Sequence, residues 1–120
     1  MSEQIAWCVE LLIQPGQLDS FLELTAEMVE ETAKEPGVLT YQRFVSDDGL
    51  IVHAVERYES FEAALSHLQT FEEKFARRFT NMVTRHRFIA YGTPNAALKK
   101  VLDRFGAVWL RPFGHFACRP

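Results

Sequence analysis

The sequence predicts an α+β domain whose helices pack on an antiparallel sheet. Three observations carry that expectation. Strand-like apolar runs and segments with apolar residues every three to four positions follow one another as β-α-β-β-α-β, with a further α-β pair behind them. Ser-Asp-Asp-Gly separates the second and third strand-like runs. There Asp48-Gly49 favours a tight hairpin, because a type I′ turn asks for two residues tolerant of positive φ. At 120 residues and 48% hydrophobic content, the chain is long and apolar enough for one domain with its own core.

Taken in order, Ile5–Ile13 ("IAWCVELLI") reads as a strand, broken by Gln-Pro-Gly-Gln. Leu18, Phe21, Leu22, Thr25, Met28, Val29 and Thr32 then recur at helical spacing under a Glu-rich outer face, where Glu30 and Lys34 stand four apart. Glu35-Pro36-Gly37 stops this helix. "VLTYQRFV" and "LIVHAVERY" are the hairpin strands, and Ser60 is placed to cap the next helix, with Phe61, Ala64, Leu65 and Leu68 on one face. Thr70 and Glu73 form a capping-box pattern, so a break is expected there, followed by a helix burying Phe71, Phe75, Phe79 and Met82. "RHRFIAYG" is the fourth strand. Thr93-Pro94 predicts a helix start carrying the stripe Ala97, Leu98, Val101, Leu102 and Phe105, and Gly106 ends it. "AVWLR" is a fifth strand and "PFGHFACRP" a tail. Residues 1–93 thus make a split βαβ sandwich of the ferredoxin-like kind, and residues 94–120 a helix-strand extension of the same domain.

The strands are apolar on both faces. In the third, Leu50, Val52, Ala54, Glu56 and Tyr58 share one parity, and Ile51, His53, Val55 and Arg57 the other. A sheet packed by helices on one side normally alternates apolar with polar. A second copy of the chain is the expected cover for the other face, which predicts a homodimer.

The net charge of −3 argues against a general nucleic-acid binder, and "RHRFIAYG" lacks the Gly-aromatic pattern of an RNA-reading sheet. No apolar run reaches membrane-spanning length and no leader pattern opens the chain, so no membrane is expected. Cys8 and Cys118 form neither a metal spacing nor a redox pair, which suits a reducing compartment, the cytoplasm. His115 with Cys118 offers two ligands without others, so no metal is expected. No cofactor is expected either, since the chain has no dinucleotide fingerprint.

A two-residue turn at Asp48-Gly49 sets Tyr41 opposite Glu56, on the sheet face of Arg43. The group suits a structural cross-strand hydrogen bond first, and beside it a site holding a hydroxylated ring and its developing oxyanion. His67, at the margin of its helical stripe, has the chemistry of a general base, and equally of a loop cap or surface residue. His53 lies on the other parity of the third strand, as a pocket or dimer-core residue.

The stretch "EPGVLTYQRFVSDDGLIVHAVERYESFEAALSHL" resembles the antibiotic biosynthesis monooxygenase domain. The matching positions are Pro36, Gly37, Tyr41, Glu56, Arg57, Tyr58, Glu62, Ala63 and His67, and the resemblance runs from Ile5 to Thr93. It implies a ferredoxin-like subunit pairing into a dimeric α+β barrel, sheet against sheet. Such domains include cofactor-free oxygenases of phenols and quinols, haem-degrading relatives, and an isomerase of a signalling sugar phosphate. Val9 stands where the haem-degrading branch has Asn and His67 where it has Trp, which separates the chain from that branch. The resemblance therefore implies a cofactor-independent monooxygenase acting on a small aromatic or quinol-like substrate in a pocket between sheet and helices. His67 would be the base, and Tyr41, Arg43, Glu56 and His53 the substrate-binding residues. The alternatives are an isomerase or lyase on a small polar metabolite, or a non-catalytic dimeric module that binds a small molecule.

Overall fold

The computed structural model describes residues 4–114, so His115 and Cys118 lie outside the described residues. The elements are β1 (Ile5–Ile13), α1 (Leu18–Thr32), β2 (Val38–Val45), β3 (Ile51–Tyr58), α2 (Phe61–Lys74), α3 (Ala76–Met82), β4 (Val83–Tyr91), α4 (Ala96–Asp103) and β5 (Val108–Leu110). The sheet order is β2-β3-β1-β4-β5. All neighbours are antiparallel except β4 and β5, a parallel pair joined by the crossover helix α4. The first four strands are the ferredoxin-like sheet, and the extension adds β5 to its edge.

The hairpin keeps the expected register, Tyr41 opposite Glu56 and Val45 opposite Val52. The turn itself is not type I′. Gly49 has φ of 73° but Asp48, like every other non-glycine among the described residues, does not have positive φ, and Gly49 N–H donates to Ser46 O at 2.9 Å. Asp48 instead accepts from Ser46 Oγ and Leu50 N–H, and Ser46 pairs with Ile51, so the connection opens to Asp47–Leu50 without shifting the ladder.

Two helix boundaries differ from expectation. Thr70 lies inside α2, which runs unbroken to Lys74. The break falls at Phe75, whose φ of −127° leaves the helical region. Helix α4 starts not at Thr93-Pro94 but after Asn95, whose side chain accepts from Leu98 N–H at 2.9 Å. A side-chain acceptor at that position satisfies a helix-end donor, which outweighs the proline signal. Ser60 caps α2 as expected, accepting from Ala63 N–H.

The core lies between one sheet face and the helices. Helix α1 buries Phe21, Leu24, Met28 and Thr32 in this core, where the Phe21 ring meets that of Phe79, while Leu22 and Val29 of the expected stripe stay exposed. Nothing among the described residues covers the other sheet face. It presents Leu12, Phe44, Ile51, Tyr91, Val108 and Leu110, all exposed. No helix among the described residues is long and apolar enough to cross a membrane.

Candidate active site

Residues two apart in a strand share a face. Glu56 and Tyr58 of β3, Tyr41 and Arg43 of β2, and Trp7 of β1 therefore all rise toward the helices, and Glu56 stands between Tyr41 and Trp7 in the ladder. Glu56 is 6% exposed. A carboxylate so buried needs partners. Arg43 Nη2 donates to its Oε2 at 2.7 Å, Trp7 Nε1 donates to its Oε1 at 3.0 Å, and the Tyr58 hydroxyl donates to the same oxygen. Burial pushes the Glu56 carboxyl up, but Arg43, His67 and the Tyr58 hydrogen bond together outweigh it, so its pKa is lowered. Burial and the Glu56 charge push the Tyr58 hydroxyl well above its ordinary value. The Arg43 guanidinium also lies 3.6 Å from the Tyr41 ring centroid, which fixes that ring from one side.

Helix α2 buries two residues, Ala64 and His67. The imidazole packs between the rings of Tyr41 and Tyr58, at 5.4 and 5.3 Å between centroids. Its Nε2 is 3.8 Å from Glu56 Oε1, and its Nδ1 is 3.3 Å from both oxygens of Glu35. Glu35 follows α1, on the segment leading into β2. Gly37 lets that segment press on α2: a Cβ there would sit 2.5 Å from Ala63 Cβ, and Glu59 N–H donates to Gly37 O at 2.9 Å. One helix stop and one close approach thus bring Glu35 over His67.

An open cavity of about 150 Å³ adjoins this pair, at the end of α1 and the start of β2. Thr32, Glu35, Thr40 and Tyr41 give it polar walls, and Val29, Val38 and Leu39 apolar ones. Burial pushes the Tyr41 hydroxyl up to about 12, with the Glu56 charge adding to the rise, so it stays a donor at neutral pH. A larger concavity of about 300 Å³ lies elsewhere, among Glu27, Glu31, Lys74 and Arg78. Surface ion pairs cross it, Lys74 to Glu31 at 2.7 Å and Arg78 to Glu27 at 2.9 Å, so both of its cations are paired within the chain.

Tyr41, Arg43, Glu56 and His67 therefore converge. His53 does not join them. Its odd parity in β3 turns it to the uncovered sheet face, where its Nε2 meets Glu10 at 2.9 Å and its Nδ1 lies 3.5 Å from Cys8 Sγ. Among the described residues no group of three or more His, Cys, Asp or Glu is placed to hold a metal ion. Glu35, Trp7 and Tyr58 complete the site without having been singled out for it in the sequence. Tyr58 was legible by parity, two residues from Glu56. Trp7 needed the β1–β3 register, and Glu35 the close approach at Gly37.

A family model described as antibiotic biosynthesis monooxygenase matches residues 5–85. No curated protein matches the chain. Among solved structures, MupZ from Pseudomonas fluorescens superposes with a TM-score of 0.87 at 23% identity, covering 98% of this chain and 96% of that one. SnoaB from Streptomyces nogalater, a cofactor-independent oxygenase, gives 0.66 at 12% identity over 79% of this chain and 97% of its own. Rv0793 from Mycobacterium tuberculosis gives 0.59 at 20% identity, over 78% and 98%. At these identities the likeness is one of fold. With MupZ the likeness extends through α4 and β5.

Proposed function

The chain belongs to the antibiotic biosynthesis monooxygenase family, and from that premise we propose that it is a cofactor-independent monooxygenase of small phenolic or quinol-like compounds, working in the cavity beside Glu35 and Tyr41. The observation that supports this most is the Glu35–His67 pair at the wall of a cavity of about 150 Å³. That volume suits one benzene-sized ring. Glu35 is the member of the pair that lines the cavity, and His67 the base behind it.

The pair takes the phenolic proton, entering at the Glu35 carboxylate with His67 holding Glu35 in place and sharing the charge. Tyr41, which stays protonated, donates to the phenolate oxygen as charge develops there. Arg43 and Glu56 hold Tyr41 and His67 from behind. The anion delocalises to a ring carbon bearing hydrogen, which gives an electron pair to dioxygen and forms a peroxide. Loss of water leaves a carbonyl on that carbon, so one oxygen atom stays in the product and the other leaves as water. The substrate is its own reductant.

The protein is proposed to work as a cytoplasmic homodimer, with the uncovered sheet faces packed together. Six exposed apolar side chains on that face support the pairing.

Oxygen uptake with a panel of hydroquinones, without added metal or flavin, tests the activity. Uptake that falls on His67→Ala and Glu35→Gln is the expected result. Turnover that persists without oxygen would assign the chain to isomerase or lyase chemistry instead. Thermal stabilisation by the same compounds without turnover would make it a binding module.

A further inference from the structure

A second cation on the helix-covered sheet face has no role in the site above. Arg85 of β4 stands opposite Leu11 of β1 and is half-buried. Its guanidinium carbon lies 4.4 Å from the ring centroid of Phe105, 5.3 Å from Phe79 and 5.9 Å from Phe71. Arg43 and Arg78 each pair with a carboxylate. Arg85 makes no hydrogen bond or ion pair among the described residues, and Glu72 acts on it only at longer range. Partial burial lowers the Arg85 pKa and Glu72 only partly opposes this, so the described residues give the cation no acceptor in hydrogen-bond contact.

Phenyl faces satisfy a guanidinium's charge in part, but they offer no acceptor to its five N–H donors, which are set in a planar fork. The ring nearest the cation belongs to the extension. Phe105 follows α4, outside the family match to residues 5–85, and stacks on Phe88 at 6.2 Å with an interplanar angle of 8°. Strands β3 and β1 separate β2 from β4, and Arg85 pairs with Leu11, four residues from the Trp7 that lies in register with Tyr41, which puts Arg85 roughly 14 Å across the sheet and about 13 Å along it from Tyr41.

We propose that Arg85, with Phe71, Phe79 and Phe105, forms a binding site for a small carboxylate carried on an apolar aryl or acyl body, distinct from the cavity beside Glu35. The planar carboxylate matches the guanidinium fork in two parallel hydrogen bonds. The apolar body lies against the half-buried rings of Phe71 and Phe105, with Phe79 buried behind them. A single fork without a second cation, and with Glu72 nearby, favours a monoanion over a phosphate dianion. The helix-strand extension thereby acquires a role, as the lid that supplies Phe105.

Nuclear magnetic resonance of the arginine Nε–Hε groups in the full chain tests this, with benzoate and octanoate as probes and benzamide and inorganic phosphate as controls. Saturable movement of one arginine signal with benzoate or octanoate at millimolar concentration is expected, that signal being absent in Arg85→Met. Binding should weaken by about tenfold or more in Arg85→Met and in Phe105→Ala. Glu35→Gln should bind as the wild type does, whatever becomes of its oxygenase activity. Unmoved arginine signals would overturn the proposal, as would benzamide or phosphate titrating as well as benzoate, or Arg85→Met binding unchanged. If Arg85→Met does not fold, Arg85→Lys, which keeps the charge but has no Nε–Hε group, identifies the signal and should weaken binding in the same way.

Discussion

Both carboxylate oxygens of Glu35 lie 3.3 Å from Nδ1 of His67, although 32 positions separate the two residues in the chain. A carboxylate so placed orients the ring and balances the charge it gains with a proton. Glu35→Gln keeps the shape and removes the charge. It should lower kcat by about 10²-fold or more while KM moves little, because general-base effects act on the chemical step. Steady-state oxygen uptake measures this, and a fully active Glu35→Gln would take the pair out of the mechanism.

The Arg43–Glu56 pair makes a different prediction. Its side chains are 13% and 8% exposed, so removing one partner strands a buried charge. Arg43→Met should cost about 3–5 kcal/mol of folding stability, and the double change Arg43→Met/Glu56→Met should recover much of it. Urea denaturation of the wild type, Arg43→Met, Glu56→Met and the double variant checks this. If the double variant were no more stable than the single, the stranded Glu56 charge would not be the cause.

Stability should also fall at both ends of the pH range. The Glu56 pKa is lowered by folding, so its contribution is present above the ordinary carboxylate value of 4.5 and is lost as pH falls below it. The Tyr41 pKa is raised, so its contribution is present below the ordinary value of 10 and lost as pH climbs from there toward about 12. Denaturation midpoints across pH should show both limbs. Glu56→Gln should flatten the acid limb and Tyr41→Phe the alkaline one, and unaltered limbs would count against these assignments.

Gly37 carries a steric prediction. A methyl group there would meet Ala63 Cβ at 2.5 Å and push the Glu35 segment off α2. Gly37→Ala should cost about 1–3 kcal/mol and much of the activity. Gly37→Ala/Ala63→Gly should restore activity, since the second change makes room for the first. Calorimetry and oxygen uptake on the pair decide it.

The uncovered sheet face predicts the oligomeric state. Phe44 is 54% exposed and Ile51 37%, and a charge at the middle of a packed interface is costly. Phe44→Asp should turn a dimer into a monomer in sedimentation at micromolar concentration. A wild-type protein that sediments as a monomer would remove the dimer altogether.

Much of the fold was legible because short-range chemistry wrote it. Apolar spacing placed the strands and helices, and Ser60 capped α2 as its side chain requires. The Asp48-Gly49 hairpin set Tyr41 against Glu56 even though its turn opened to four residues, since the ladder on either side is symmetric about the same centre. Local signals misled where two competed. Asn95 outweighed Thr93-Pro94 as a cap, and the capping pattern at Thr70 was overridden by a helix that continued to Lys74.

Residue order alone was therefore enough for the succession of elements, the shared face of Tyr41, Arg43 and Glu56, the opposite face of His53, and the place of His67 on a helix. That Glu35 meets His67 and that Trp7 donates to Glu56 came only from the packed fold. The reason is physical. Periodicity and capping act within a few residues, whereas a contact across 32 or 49 positions depends on sheet register and on how closely Gly37 lets two segments approach.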